Sequence, residues 1–141
     1  MLLAMVSSVS AGDLTIELKG IEVSRGGSVT LALYRDAKSF ATYDQQNTVA
    51  ILSRQVEGLA GPEEMAAVRF RLDDVMPGQY AIHYFHDQNG NQRFDFADGQ
   101  AMEGWGISRA RHMWQALSFD EAAFTVNGAA QFVSLKTFYA Q

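Results

Sequence analysis

The chain contains no cysteine and only two prolines. Without cysteine there is no thiol nucleophile, no disulfide staple and no thiolate-held zinc, a composition compatible with export. No apolar run approaches the ~20 residues that a membrane-crossing helix needs. A basic excess is missing too. Eleven Lys and Arg stand against 16 Asp and Glu, for a formal net charge of −5. That is the wrong sign for a protein that neutralises nucleic-acid phosphates. There is no nucleophile elbow, phosphate-cradling loop, zinc-protease helix motif, internal repeat or low-complexity tract. What is present is 141 residues, 48% of them hydrophobic and 11% aromatic. Such a chain is one domain, able to bury roughly 68–70% of its unfolded surface and too apolar to stay disordered.

Residues 1–11 are uncharged and apolar and end in Val9-Ser10-Ala11, small residues of the kind a signal peptidase cleaves after. They read as a signal peptide truncated of its basic start; the other reading is a first strand with a frayed end. The expected organisation is therefore a leader over 1–11 and a single β-sandwich domain over 12–141, periplasmic or secreted.

Period-two alternation dominates the chain from Leu14 onward. Leu14, Ile16 and Leu18 alternate with Thr15, Glu17 and Lys19, and Val29, Leu31 and Leu33 come after the turn signal Ser24-Arg25-Gly26-Gly27, so the two segments read as hairpin partners. Val49–Leu52 reads as a short strand and Gly58–Glu64 as a polar connection. Val68, Phe70 and Leu72 alternate with charges, as Tyr80, Ile82 and Tyr84 alternate in the next strand. Asn127-Gly128 between two further apolar segments is a second hairpin signal. About seven short strands with few helical periods predict an all-β antiparallel sandwich, with a long loop at 87–119.

Pro77-Gly78 suits the centre of a type II turn, and Tyr80 just beyond it suits a tyrosine corner whose hydroxyl returns to the upstream backbone. The strand then runs into His86-Asp87-Gln88-Asn89-Gly90-Asn91-Gln92-Arg93-Phe94-Asp95-Phe96-Ala97-Asp98. Asp87, Asn89, Asn91, Asp95 and Asp98 occupy the first, third, fifth, ninth and twelfth places of a twelve-residue loop, and Arg93 would offer its carbonyl at the seventh. Calcium takes six to eight hard oxygens, and alternate residues of a curled loop can aim theirs at one centre. Gln92 where a glycine is usual, and the short Asp98 at the twelfth place, point to weak binding, about 10⁻⁴–10⁻³ M. The same residues also make a plain Asn-Gly turn held by side-chain bonds to its own backbone.

His83 and His86 lie three apart on a strand, so they leave opposite faces and cannot share one metal. His86, at the loop's entrance, is placed to bond a loop carboxylate or carbonyl. In the aperiodic stretch 99–119, Trp105, Arg109, Arg111, His112 and Trp114 could line a pocket by stacking and arginine pairing, or Trp114 and Trp105 could plug the loop onto the sandwich.

Pro77-Gly78-x-Tyr80-x-Ile82, Phe85-His86-Asp87-x-Asn89-Gly90-Asn91, Gly104-Trp105-Gly106-Ile107-Ser108 and Phe119-x-Glu121-Ala122-x-Phe124 together resemble the secreted bacterial domain of unknown function 2141. The resemblance runs from about Leu14 to Tyr139 and implies a transthyretin-like or immunoglobulin-like β-sandwich exported from Gram-negative cells, with no established activity. The leading expectation is a non-enzymatic module whose Ca²⁺ loop orders a surface for a protein or glycan partner. A small-ligand or carbohydrate carrier using the 99–119 loop is the alternative, and a hydrolase built on His86 is the third reading.

Overall fold

The computed structural model describes residues 11–56, 65–113 and 115–140. The leader reading over residues 1–10, the Gly58–Glu64 connection and Trp114 lie outside the described residues.

Among the described residues, ten strands and two short α-helices occur in chain order: β1 (Gly12–Glu22), β2 (Ser28–Tyr34), α1 (Ala37–Ala41), β3 (Ala50–Gln55), β4 (Met65–Val75), β5 (Gly78–Asp87), β6 (Phe96–Ala97), β7 (Gln100–Ala101), β8 (Gly104–Ile107), α2 (Phe119–Ala122), β9 (Phe124–Val126) and β10 (Gln131–Lys136). One sheet runs β10-β1-β4 and the other β3-β2-β5-β8, with β9 also pairing on β5 and β6-β7 forming a small hairpin. Leu14, Ile16, Leu18, Val68 and Leu135 of the first sheet meet Val29, Leu31, Leu33, Ile82 and Tyr84 of the second, all buried. Alternate residues of β1, β2, β4 and β5 supply that core, as the alternation required. The all-β sandwich is thus observed.

Both expected hairpins are absent. β1 pairs with β4 and β10, while β2 pairs with β3 and β5. The Ser24–Gly27 turn and the Asn127-Gly128 turn each carry the chain from one sheet to the other. Turn residues reverse a chain locally, but burying two apolar strand faces against each other decides the partner. As a consequence β10 lies parallel to β1, Leu14 opposite Gln131 through Lys19 opposite Lys136, in an otherwise antiparallel fold. Pro77-Gly78 departs as well: Gly78 has φ 157° and already begins β5, while Asp74 takes the left-handed conformation at φ 58°.

The tyrosine corner is present. Tyr80 Oη donates to the Met76 carbonyl at 2.6 Å, closing the arch between β4 and β5. Tyr80→Phe keeps the ring but strands that carbonyl. The expected loss is about 1–3 kcal/mol, read as a lower urea midpoint at unchanged slope.

β5 is buried from Tyr80 to Asp87. Its inner face carries Tyr80, Ile82, Tyr84 and His86. Its outer face, usually wet in a sandwich, carries Ala81, His83, Phe85 and Asp87. That face is covered by Phe40 of α1, Ala122 of α2 and Phe138, which pack with Tyr34 of β2 and Ile107 of β8. Ser118 and Glu121 cap α2 reciprocally. Ser108 joins the two edge segments: its Oγ accepts Ile82 N–H (2.9 Å) and donates to the Ala122 carbonyl (2.7 Å). The second layer over the outer face is what positions the site.

Candidate functional site

Asp87 ends β5 and is 1% exposed. Its two oxygens accept the backbone N–H of Gly90 (3.0 Å) and Gln92 (2.9 Å). Asn89 Oδ1 accepts Asn91 N–H (3.1 Å) and Asn91 Oδ1 accepts Arg93 N–H (3.0 Å), so alternate side chains curl the chain around one side. Their amide nitrogens both donate to Asp95, Asn89 at 2.8 Å and Asn91 at 2.8 and 2.9 Å. These bonds, from Asn91 first and Asn89 second, hold the Asp95 carboxyl below its usual range. Gln92 takes the left-handed conformation, φ 62°, at the place where a glycine would have been easier.

Three of the six expected loop positions, 89, 91 and 95, therefore bond one another directly, while Asp87 holds the same turn through the backbone of Gly90 and Gln92. Asp98 does not join them. With φ 53° it forms, beside Gly99 at φ 75°, the two-residue turn of the β6–β7 hairpin, and its side chain is exposed. Arg93 contributes its N–H to the turn and leaves its side chain exposed.

Glu103 is the residue the sequence reading missed. Only 4% exposed, it accepts Gln88 N–H through Oε2 (2.9 Å) and Asp95 N–H through Oε1 (3.1 Å), pinning both ends of the acidic turn. Burial pushes its carboxyl pKa up, and the charges of Asp95 and Asp87 add to the rise. No ion pair among the described residues involves Asp87, Asp95 or Glu103. No group of three or more His, Cys, Asp or Glu side chains among the described residues is arranged to hold a metal ion. Any cation there would need the Asn side-chain oxygens and main-chain carbonyls as well. The one signal for Glu103 in the sequence is a lone carboxylate just before Gly104-Trp105-Gly106.

His86 serves the frame rather than the acidic turn. Its Nε2–H donates to the Gly26 carbonyl, which leaves Nδ1 to accept the Tyr139 hydroxyl at 2.8 Å. Tyr139 Oη in turn accepts Glu22 N–H at 2.9 Å. Burial first, and Arg25 further, lower the His86 pKa despite the Gly26 bond, consistent with this neutral tautomer. His83 and His86 do leave opposite faces.

Two clefts flank the middle of the outer face. The larger, about 740 Å³, is lined by Tyr43, Phe94, Phe96, Trp105, Ile107, Met113 and Leu117 among others. The smaller, about 480 Å³, has Thr30, Ala32, Tyr34, His83 and Phe85 on its floor side and Tyr43, Phe94 and Phe96 in common with the first. Phe94 tilts against Phe96 with ring centroids 4.5 Å apart and lies 5.8 Å from Phe85 in a stacked pair. Trp105 leans on Phe138 at 5.2 Å. Arg109 donates to the Ala123 carbonyl (3.2 Å), whereas Arg111 and His112 are exposed; none of the three lines either cleft. The aromatic wall went unread because Phe94 and Phe96 alternate with loop polar residues and look like strand filler.

No curated protein matches the chain. Among solved structures, a fimbrial assembly protein from Parabacteroides distasonis aligns with 8% sequence identity and a TM-score of 0.47, over 89% of this chain and 52% of that one. The chain thus spans about half the length of that protein. The model of a family described as an uncharacterized protein conserved in bacteria, DUF2141, matches residues 16–134, nearly the whole sandwich, and the chain belongs to that family.

Proposed function

We propose that the protein is an exported, non-enzymatic binding module in which Ca²⁺ on the acidic turn orders the wall of a ligand cleft on the outer sheet face. Phe94 carries this reading. It stands between Arg93 and Asp95, inside the turn that Asp87, Asn89, Asn91 and Asp95 organise, and it lines both clefts. Whatever fixes the turn fixes the wall. The donors would be the Asp87 and Asp95 carboxylates, the side-chain oxygens of Asn89 and Asn91 and the Arg93 carbonyl, with Glu103 adding charge nearby. A divalent ion supplies the positive charge that these crowded carboxylates lack; without it Glu103 is held buried beside two like charges.

A weak site fits a compartment rich in calcium. At 1 mM Ca²⁺ over a Kd near ~0.1 mM, binding adds about 1.4 kcal/mol, or roughly 3–5 °C in melting temperature. Melts in calcium and in chelator measure that increment, which Asp87→Ala and Asp95→Ala should each abolish. Tryptophan fluorescence should change with the same calcium dependence. Equal melts in calcium and chelator, with no heat in calorimetry, remove the ion.

The small-ligand or carbohydrate alternative has one observation in its favour: Trp105 presents its ring to the larger cleft. In that reading the acidic turn is scaffold, and ligand binding is indifferent to chelator.

A further inference from the structure

Two polar atoms at the base of the smaller cleft have no partner among the described residues: Tyr34 Oη and His83 Nε2. Tyr34 is 0% exposed and His83 3%. Buried polar groups almost always find a partner, because each orphan costs about 1–3 kcal/mol. Here two orphans share one face. Ala32 sits opposite His83 and Tyr34 opposite Ala81, so Tyr34 and His83 are diagonal neighbours across β2 and β5. Tyr43 stacks over the imidazole at 3.9 Å and 18°, and Phe94 lies 5.1 Å from it. Burial lowers the His83 pKa to about 3, so the ring is neutral at ordinary pH.

We propose that the two clefts are the ends of one site, whose floor atoms Tyr34 Oη and His83 Nε2 hold the hydroxyl of a neutral, planar aromatic ligand while Phe94 and Phe96 face its rings. This rests on the outer face being the ligand site, and is independent of the ion. A hydroxyl both donates and accepts, so it satisfies the phenol and either imidazole tautomer together. A charged group is disfavoured. Asp44 and Arg93 are the charged side chains lining this cleft, one of each sign, and Asp44 is already occupied by Gln46 N–H (3.0 Å) and Asn47 Nδ2 (2.7 Å). Arg93 is exposed, and nothing at the buried floor beside Tyr34 and His83 neutralises a net charge against the burial cost.

The test compares 2-naphthol with naphthalene, which share the ring system and differ by the hydroxyl. Backbone amide shifts in ¹⁵N spectra report affinity and place the ligand. The expected result is binding of both at the outer face, with naphthol about tenfold tighter. Tyr34→Phe and His83→Phe should each narrow the gap between naphthol and naphthalene, and the double variant should close it. Tyr34→Phe should melt no lower than wild type, since it removes an orphan polar atom rather than a bond. Equal wild-type affinity for the two compounds overturns the polar floor and leaves the cleft reading standing. Failure of both compounds to bind removes the cleft reading itself.

Discussion

Lowering the pH from 7 to 4 should destabilise this protein by about 3 kcal/mol through His83 alone, the largest single cause. In the unfolded chain its imidazole takes a proton near pH 6.5. In the folded chain burial depresses that pKa to about 3. No opposite charge is paired with it, and Tyr43 and Phe94 cover it with rings. The unfolded state therefore binds one more proton throughout that interval. Stability is fully present above about pH 6.5 and falls as the pH drops toward 3, by about 1.4 kcal/mol per pH unit. A domain with ordinary stability of about 5–15 kcal/mol loses a large share of it this way. His86, whose pKa is also depressed chiefly by burial, acts in the same direction. Glu103 acts oppositely: its raised pKa gives stability below its unfolded value that fades as the pH rises through the folded one. Urea midpoints measured from pH 7.5 to 4 check the claim. His83→Phe should flatten the slope markedly and leave the His86 share. Parallel slopes in wild type and variant would mean that His83 reaches solvent and titrates normally.

That pH sensitivity sits on the one face whose burial the sequence concealed. Tyr80, Ile82 and Tyr84 announce a half-buried strand by their alternation, and the core between the sheets is legible from such patterns alone. Ala81, His83 and Phe85, the intervening residues, are buried as well. Their cover comes from segments distant in sequence: Phe40, Phe138 and the 94–122 stretch. Alternation records one face of a strand at a time and says nothing about a second layer. Pairing failed for a related reason. Gly26-Gly27 and Asn127-Gly128 mark turns, but the strands they join face each other across the core instead of sharing a sheet edge. The Tyr80 corner was legible because its bond to Met76 spans four residues.

The acidic turn shows the same boundary between local and distant. Asp87, Asn89, Asn91 and Asp95 share one turn because each bond they make within it spans six residues or fewer, well within what spacing can encode. Asp98 was placed by a twelve-residue template, yet Asp-Gly with both residues at positive φ makes a tighter local structure, the β6–β7 turn. Its place near the turn is taken by Glu103, which returns from the far side of that hairpin to bond Gln88 and Asp95. The hairpin is therefore the device that lets a carboxylate 16 residues beyond Asp87 reach the same turn (103 − 87).

Gly27→Ala should be a strongly damaging single-methyl change near the site. Gly27 has φ 70°, and a β-carbon there would collide with the Asp87 carbonyl oxygen and lie 3.0 Å from Gln88 Cα. Both obstacles are backbone, so no side chain can rotate away. The cost combines left-handed strain of about 1–2 kcal/mol with overpacking of about 1–3 kcal/mol. Gly90→Ala isolates the first component. Its φ is 73°, but no atom lies within 4 Å of the added carbon. The melting temperature should therefore fall two- to threefold further in Gly27→Ala than in Gly90→Ala. The two variants also separate frame from turn. Where Gly27→Ala still folds, it pushes Asp87 off the end of β5 and should erase the calcium-dependent increment in melting temperature. Gly90→Ala, with its N–H still donating to Asp87 (3.0 Å), should keep most of it. Equal losses in both variants would mean that the approach of Gly27 to Asp87 is loose, and that the turn leading into β2 does not position the first carboxylate.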